Sequence, residues 1–190
     1  LISRCRDVRR PVTVHAEDRE LIERNRAQLK TGKKHTLESF LRVHSKEAEL
    51  LAVKRMIDLA KITGAHIHIC HLSAAKSLDA IEEARRMGLR LTCEASPHHM
   101  LLDKKHLRQL KGIAITIPPI RDSRNSRMLW NAFIDGRIDV IATDHAPHTE
   151  KEKSSDDVWG VSPGIPGLET ALPTLLTRVN NGQLSLSRLT

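Results

Sequence analysis

Short β-branched runs alternate along this chain with longer stretches whose apolar residues recur every three or four positions. The apolar runs are Val12 to Ala16, Ala65 to His71, Arg90 to Ala95 and Asp139 to Thr143, each of strand length. Between the first two, Leu50, Leu51, Val53, Met56, Ile57 and Ala60 recur at helical spacing, and Gly64 follows as a stop. A second helix is expected from Ser73, its N-cap, to Met87, closed by Gly88, with Ala80, Ile81 and Ala84 as the apolar stripe. Ser126 to Phe133 reads as a helix leading into the fourth run, and Gly167 to Val179 as a last one. Such alternation of strand and helix argues for βα units and a parallel sheet, an α/β fold.

Two stretches break the rhythm. After the third run comes a polar segment holding Leu107 to Leu110, then an apolar run from Ile113 to Ile117 stopped by Pro118 and Pro119. Proline cannot donate to a sheet ladder, so that run is expected as an edge strand or an extended loop. Asp144 to Ile165 is a long loop rich in Pro and Gly, and loops of that length in compact domains are usually functional or disordered.

Length narrows the architecture. The chain has 190 residues, enough for one ordinary domain with a core, yet short of the ~250 residues of a complete eight-stranded α/β barrel. It starts without Met in a charged, helix-like stretch and stops just after a helix start, so both ends read as truncated. No apolar run approaches the ~20 residues that span a bilayer, and no signal-peptide pattern opens the chain, so no membrane partner is expected and the default is cytoplasmic. The three cysteines, Cys5, Cys70 and Cys93, lack close metal-type spacing and suit a reducing compartment.

The net charge of +8 changes little, because the basic residues are spread along helices among acids. With no Tyr and two Phe there is no platform for stacking bases, and nucleic acid is not an expected partner.

Candidate chemistry collects where the strands end. His15 closes the first run, His71 the second, and Asp144 follows the fourth. In parallel α/β barrels the C-terminal strand ends converge on the active site, and imidazole with carboxylate is a donor set for zinc or a similar divalent ion. Any one of the three alone reads as a hydrogen-bonded structural residue; the set carries the signal. Asp144-His145-Ala146-Pro147-His148 packs a carboxylate and two imidazoles into one strand exit, costly to place without function. His98 and His99 follow Pro97 at the third exit, where they either join the site or cap a backbone carbonyl. His66 and His68 share a side of their strand with Cys70, opposite to His71 under strict alternation, and read as structural.

These residues stand in recognisable stretches: Val14-His15-Ala16-Glu17-Asp18, Ile69-Cys70-His71-Leu72-Ser73, Glu94-Ala95-Ser96-Pro97-His98-His99, Pro118-Pro119-Ile120-Arg121, Ala142-Thr143-Asp144-His145-Ala146-Pro147-His148 and Pro163-Gly164-Ile165-Pro166-Gly167-Leu168-Glu169-Thr170. In this order, with helix-sized gaps, they resemble the dihydroorotases of the cyclic amidohydrolase family over essentially the whole chain. The resemblance implies a partial TIM-type (β/α)8 barrel, residues 1–190 being its C-terminal half with strands five to eight. It implies His15 and His71 on one ion of a zinc pair and Asp144 on the other. Asp144 would also carry the proton, His148 would contact substrate, and the backbone at Pro163 and Gly164 would close over it. The implied reaction is the reversible ring closure of N-carbamoyl-L-aspartate to L-dihydroorotate in pyrimidine synthesis. The implied partner is a small-molecule substrate, with room for a homo-oligomer and for association with aspartate transcarbamoylase.

The chain departs from the family at one position and lacks another part. Ile117 stands where the family carries a substrate-contacting Asn, and an apolar side chain cannot make that hydrogen bond. The family's His-x-His-x-Arg motif and the Lys or Asp that bridges its metals are not found here; they are expected upstream of Leu1. An open half-barrel is expected to be inactive and poorly stable alone. Two other readings stay open: an allantoinase or hydantoinase on the same scaffold, and a non-catalytic dihydroorotase-like scaffold.

Overall fold

The computed structural model describes residues 1–29 and 35–190. In chain order the elements are α1 (Ile2–Asp7), β1 (Val12–Val14), α2 (Arg19–Ala27), α3 (Leu37–Val43), α4 (Lys46–Thr63), β2 (Ile67–Ile69), α5 (Ala75–Arg86), β3 (Leu91–Ala95), α6 (Pro97–Leu101), α7 (Lys104–Leu110), α8 (Ser123–Ile134), β4 (Val140–Ile141), α9 (Glu150–Lys153), α10 (Leu168–Asn180) and α11 (Leu186–Leu189). The four strands form one sheet in the order β1-β2-β3-β4, every pair parallel, with Val12 opposite Ile67, Ile67 opposite Leu91 and Glu94 opposite Val140. Sequential parallel order with a helix after each strand is one arc of a (β/α)8 barrel.

Alternation along the strands sets the two faces of this arc. Ile67, Ile69, Leu91, Cys93 and Ala95 point to the helices and are buried with Val53 and Ile57 of α4, Leu78 and Ile81 of α5 and Leu129 and Phe133 of α8. The residues between them, Thr13, His66, His68, Cys70, Thr92 and Glu94, line the concave face and are half-buried or exposed. Polar residues on that face and aliphatic ones behind it separate chemistry from core.

The helix ends have identifiable causes. Ser45 accepts from the Ala48 amide and starts α4, and Gly64, at φ +68°, ends it as expected. Asp122 caps α8 through the Asn125 amide, so that helix starts earlier than the apolar pattern indicates. At α5 the expected N-cap Ser73 is replaced by Ala74, which makes no side-chain cap. Ser73 instead donates from Oγ to Glu49, because a buried carboxylate competes for it.

In three further stretches the structure decides between or adds to the expectations. Of the two alternatives for 113–117, an edge strand or an extended loop, no strand forms: a 3-10 turn covers Lys111–Ala114, the chain runs on without a strand, and Ile115, Ile120, Val158 and Val161 join Phe40 and Leu107 in a second hydrophobic cluster. The stretch 144–165 is not structureless, since it contains α9, started by a Thr149/Glu152 capping box, and its ends meet in a bridge between His145 and Ile165. The segment before α4 holds two helices, α2 and α3, that the periodicity did not single out.

Ile81 is fully buried between α5 and the sheet. Truncating it to Ala leaves a cavity that the packed neighbours fill incompletely, and a loss of about 2–5 kcal/mol is expected in urea denaturation. A loss below about 1 kcal/mol would show that this layer is not packed as described.

Candidate active site

All four strands point the same way, so their C-terminal ends share one rim. His15 follows Val14 of β1 directly, His71 lies two residues past Ile69 of β2, Ser96 follows β3, and Asp144 lies three residues past Ile141 of β4. At the rim His15 Nδ1 and His71 Nε2 face each other at 3.1 Å, with the rings edge to face at 63°. Strict alternation would turn His71 away. It does not apply, because His71 has a left-handed backbone at φ +34°, and Asp144 has one at φ +48°. A non-glycine residue there costs on the order of 1–3 kcal/mol, and such residues collect at functional sites.

A chain of hydrogen bonds fixes His15. Its Nε2 donates to Glu17 at 3.2 Å, and His44 Nδ1 donates to the same carboxylate at 3.1 Å. Burial by itself pushes the Glu17 carboxyl up, but the hydrogen bonds from His15 and His44 outweigh it and hold it at about 2. The hydrogen bond to Glu17 raises the His15 proton affinity; burial opposes this, and the charges of Glu17, Asp144 and Glu49 add to it. With the proton of neutral His15 on Nε2, Nδ1 presents a bare lone pair to the rim.

Two nitrogens bound to one tetrahedral zinc at about 2.0–2.1 Å lie about 3.3 Å apart. The 3.1 Å between His15 Nδ1 and His71 Nε2 matches that spacing. His71 Nδ1 is buried without a hydrogen-bond partner among the described residues. The half-buried Asp144 acts on His15 through its charge; the two facing imidazoles are donors of the kind that suits zinc.

His71 rests on a buried polar platform. Glu49, on the apolar stripe of α4, accepts from the Ser73 amide at 3.1 Å and the Ala74 amide at 2.9 Å. Arg121 donates from Nε to Ser73 Oγ at 3.0 Å and from Nη1 to the His44 carbonyl, so one guanidinium ties the supports of both histidines. Glu94 accepts from the His71 amide at 3.2 Å. An acid in register with Val53 and Ala60 was the available sign of Glu49; Arg121 and Glu94 carry no sign apart from their motifs.

Of His98 and His99, the second takes the reading of a cap on a backbone carbonyl. Both are buried. His99 Nε2 donates to the Pro118 carbonyl at 2.9 Å, Ser96 Oγ donates to His99 Nδ1 at 2.7 Å, and His98 Nε2 donates to Ser96 Oγ at 2.9 Å. Burial drives His99 well below the imidazole range and His98 to about 4, with the nearby His71 adding to both. His99 is thus a neutral clamp on the Pro118 turn.

The loop after β4 closes on itself. His145 Nδ1 accepts from the Gly167 and Leu168 amides at 3.1 and 3.3 Å and caps α10, so His145 is structural. His148 Nε2 donates to the Pro163 carbonyl at 3.0 Å, which brings together His148, Pro163 and Gly164. A Cβ on Gly164, whose φ is +148°, would lie 2.5 Å from Ala146 Cβ and 3.1 Å from His148 Nε2, so only glycine fits there. The buried Lys153 donates from Nζ to the carbonyls of Ile115, Ser162 and Gly164 at 3.0, 2.9 and 2.9 Å. Ile117 packs against the second hydrophobic cluster.

No family model matches the chain. The dihydroorotase of Methanosphaera stadtmanae is 42% identical over 187 residues, 95% of this chain and 41% of that protein. The dihydroorotase of Halobacterium salinarum is 40% identical over 178 residues, 94% of this chain and 40% of that protein. Over most of its length the chain is thus similar to proteins named dihydroorotase, at about 40% identity. It spans about two-fifths of the length of these relatives. Among solved structures, the L-hydantoinase (dihydropyrimidinase) from Arthrobacter aurescens superposes with a TM-score of 0.93 at 28% identity, over 99% of this chain and 42% of that one. The D-hydantoinase (dihydropyrimidinase) from Thermus sp. does so with 0.92 at 30% identity, over 98% and 42%. The arc of four strands is therefore part of an amidohydrolase (β/α)8 barrel.

Lys153 offers a pH test of the loop. Its three acceptors carry no charge, and burial pushes the ammonium down to about 8. An unfolded chain keeps that proton to about pH 10.4. Between these values the unfolded state binds more protons, so this group makes stability rise with pH. The stability difference between wild type and Lys153→Met is expected to grow in favour of wild type from pH 8 to 10 in denaturant titrations. A flat difference would show that the ammonium is not buried.

Proposed function

We propose that this chain forms strands five to eight of a dihydroorotase barrel and supplies part of a site that hydrolyses the ring amide of L-dihydroorotate to N-carbamoyl-L-aspartate. The observation that carries this reading is the pair of imidazole nitrogens at 3.1 Å on the strand-end rim, a rim that Asp144 reaches just past the fourth strand. The substrate assignment rests on the 42% and 40% identity to proteins named dihydroorotase. The hydantoinases share the fold at lower identity.

In this reading His15 and His71 would hold one zinc ion of a pair and Asp144 would hold the other. When bound, zinc supplies Lewis acidity that polarises an amide carbonyl and acidifies water. Glu17 keeps the His15 proton on Nε2 and so keeps Nδ1 open as a ligand. Water adds to the ring carbonyl carbon, the ring C–N bond breaks, and Asp144 takes the proton from water and returns it to the leaving nitrogen. His148 and the backbone of Pro163 and Gly164 form the substrate wall, and the donor bond from His148 to Pro163 sets its position. Ile117, packed into the loop cluster, offers no polar group to the substrate, so its recognition falls to that wall and to groups outside this chain. The setting is cytoplasmic pyrimidine synthesis.

Two measurements on the whole protein test the reading. Turnover of dihydroorotate is expected, with Asp144→Asn lowering kcat by about 100- to 10,000-fold, the range of a lost acid-base group; turnover of hydantoin or allantoin without dihydroorotate would overturn the substrate. Glu17→Gln is expected to weaken metal affinity by about 10- to 100-fold, as loss of a ligand's supporting hydrogen bond does. Unchanged affinity by competition with a chelator would remove Glu17 from that role.

A further inference from the structure

On the concave face below the rim lies a second group of donors that the proposed reaction does not use. His68, Cys70 and Glu94 each offer one ligand atom, and these atoms all lie within 4.8 Å of one another. Topology brings them together: residues 68 and 70 are successive concave positions of one strand, and the register that pairs Ile69 with Cys93 sets Cys70 beside Glu94. His68, expected as structural and set apart from His71, shares one carboxylate with it. Glu94 accepts from the His71 amide through Oε1 at 3.2 Å and faces His68 Nε2 through Oε2 at 3.1 Å.

The far side of His68 is prepared for a ligand role. His68 Nδ1 and His66 Nε2 both lie 2.8 Å from Thr92 Oγ1. If Thr92 donates to His66, it accepts the His68 Nδ1 proton, and His68 Nε2 is left bare against a carboxylate oxygen. Two lone pairs at that distance require a proton or a cation between them. A ligating histidine whose other nitrogen donates to a fixed acceptor is the usual arrangement at protein metal sites.

We propose that His68 Nε2, Cys70 Sγ and the Glu94 carboxylate form a second cation site, for a thiophilic divalent ion such as zinc or cadmium, distinct from the rim pair of His15 and His71. Nitrogen, sulfur and oxygen donors favour such ions over magnesium or calcium. Binding forms the sulfur–metal bond and releases the Cys70 thiol proton to solvent. The His68 proton stays on Nδ1, where Thr92 accepts it. Because Glu94 also fixes the His71 amide, filling this site acts on the rim.

Cobalt is the probe. The purified whole protein, stripped of metal with a chelator, is titrated with Co²⁺ and followed for the near-ultraviolet sulfur-to-cobalt charge-transfer band that only a thiolate ligand gives. The band is expected in wild type, retained in His15→Ala, lost in Cys70→Ser and weakened in His68→Ala. Its absence in wild type, or its persistence in Cys70→Ser through another cysteine, would overturn the proposal. Should Cys70→Ser not fold by circular dichroism, alkylation of wild type decides: Zn²⁺ is expected to slow labelling of Cys70 at least tenfold, and equal labelling with and without Zn²⁺ overturns the site. Neither readout depends on turnover, so failure here is separable from failure of the dihydroorotase reading.

Discussion

Parallel pairing of four consecutive strands is the constraint from which the rest follows. Each strand end delivers its next residues to the same rim, and each return to the sheet needs a helix on the convex side. That single arrangement buries Ile67, Ile69, Leu91 and Cys93 behind the sheet and gathers His15, His71 and Asp144 in front of it. Core and site are two faces of one alternation.

Burying carboxylates is costly unless each is fully partnered. Glu17, Glu49 and Glu94 meet that condition in different ways: two imidazoles on the first, backbone amides and a serine hydroxyl on the second, and the His71 amide with His68 on the third. Each fixes a metal-competent histidine or the turn beneath it. Arg121 links the Ser73 and His44 sides of this network from within the core. The left-handed backbone of His71 is held by its amide bond to Glu94.

The long loop after β4 is ordered by the same means. His145 caps α10, His148 is bound to Pro163, and Lys153 collects three carbonyls from two segments. What composition marks as irregular is a compact wall, closed by a bridge between its ends and by a glycine that leaves room for His148.

The sequence alone determined the elements whose stabilising groups are local. Apolar spacing with a glycine stop defined α4, β-branched runs defined the strands, and the order of motifs placed His15, His71 and Asp144 at strand ends. Tertiary structure decided whatever depends on partners distant in the chain. Ser73 gave up its cap to Glu49, the run 113–117 joined a cluster with Phe40 and Val158, and His71 left the alternation that would have turned it from His15. Periodicity records which face a residue prefers, whereas a buried hydrogen bond or a left-handed backbone is set by groups that only folding brings within reach.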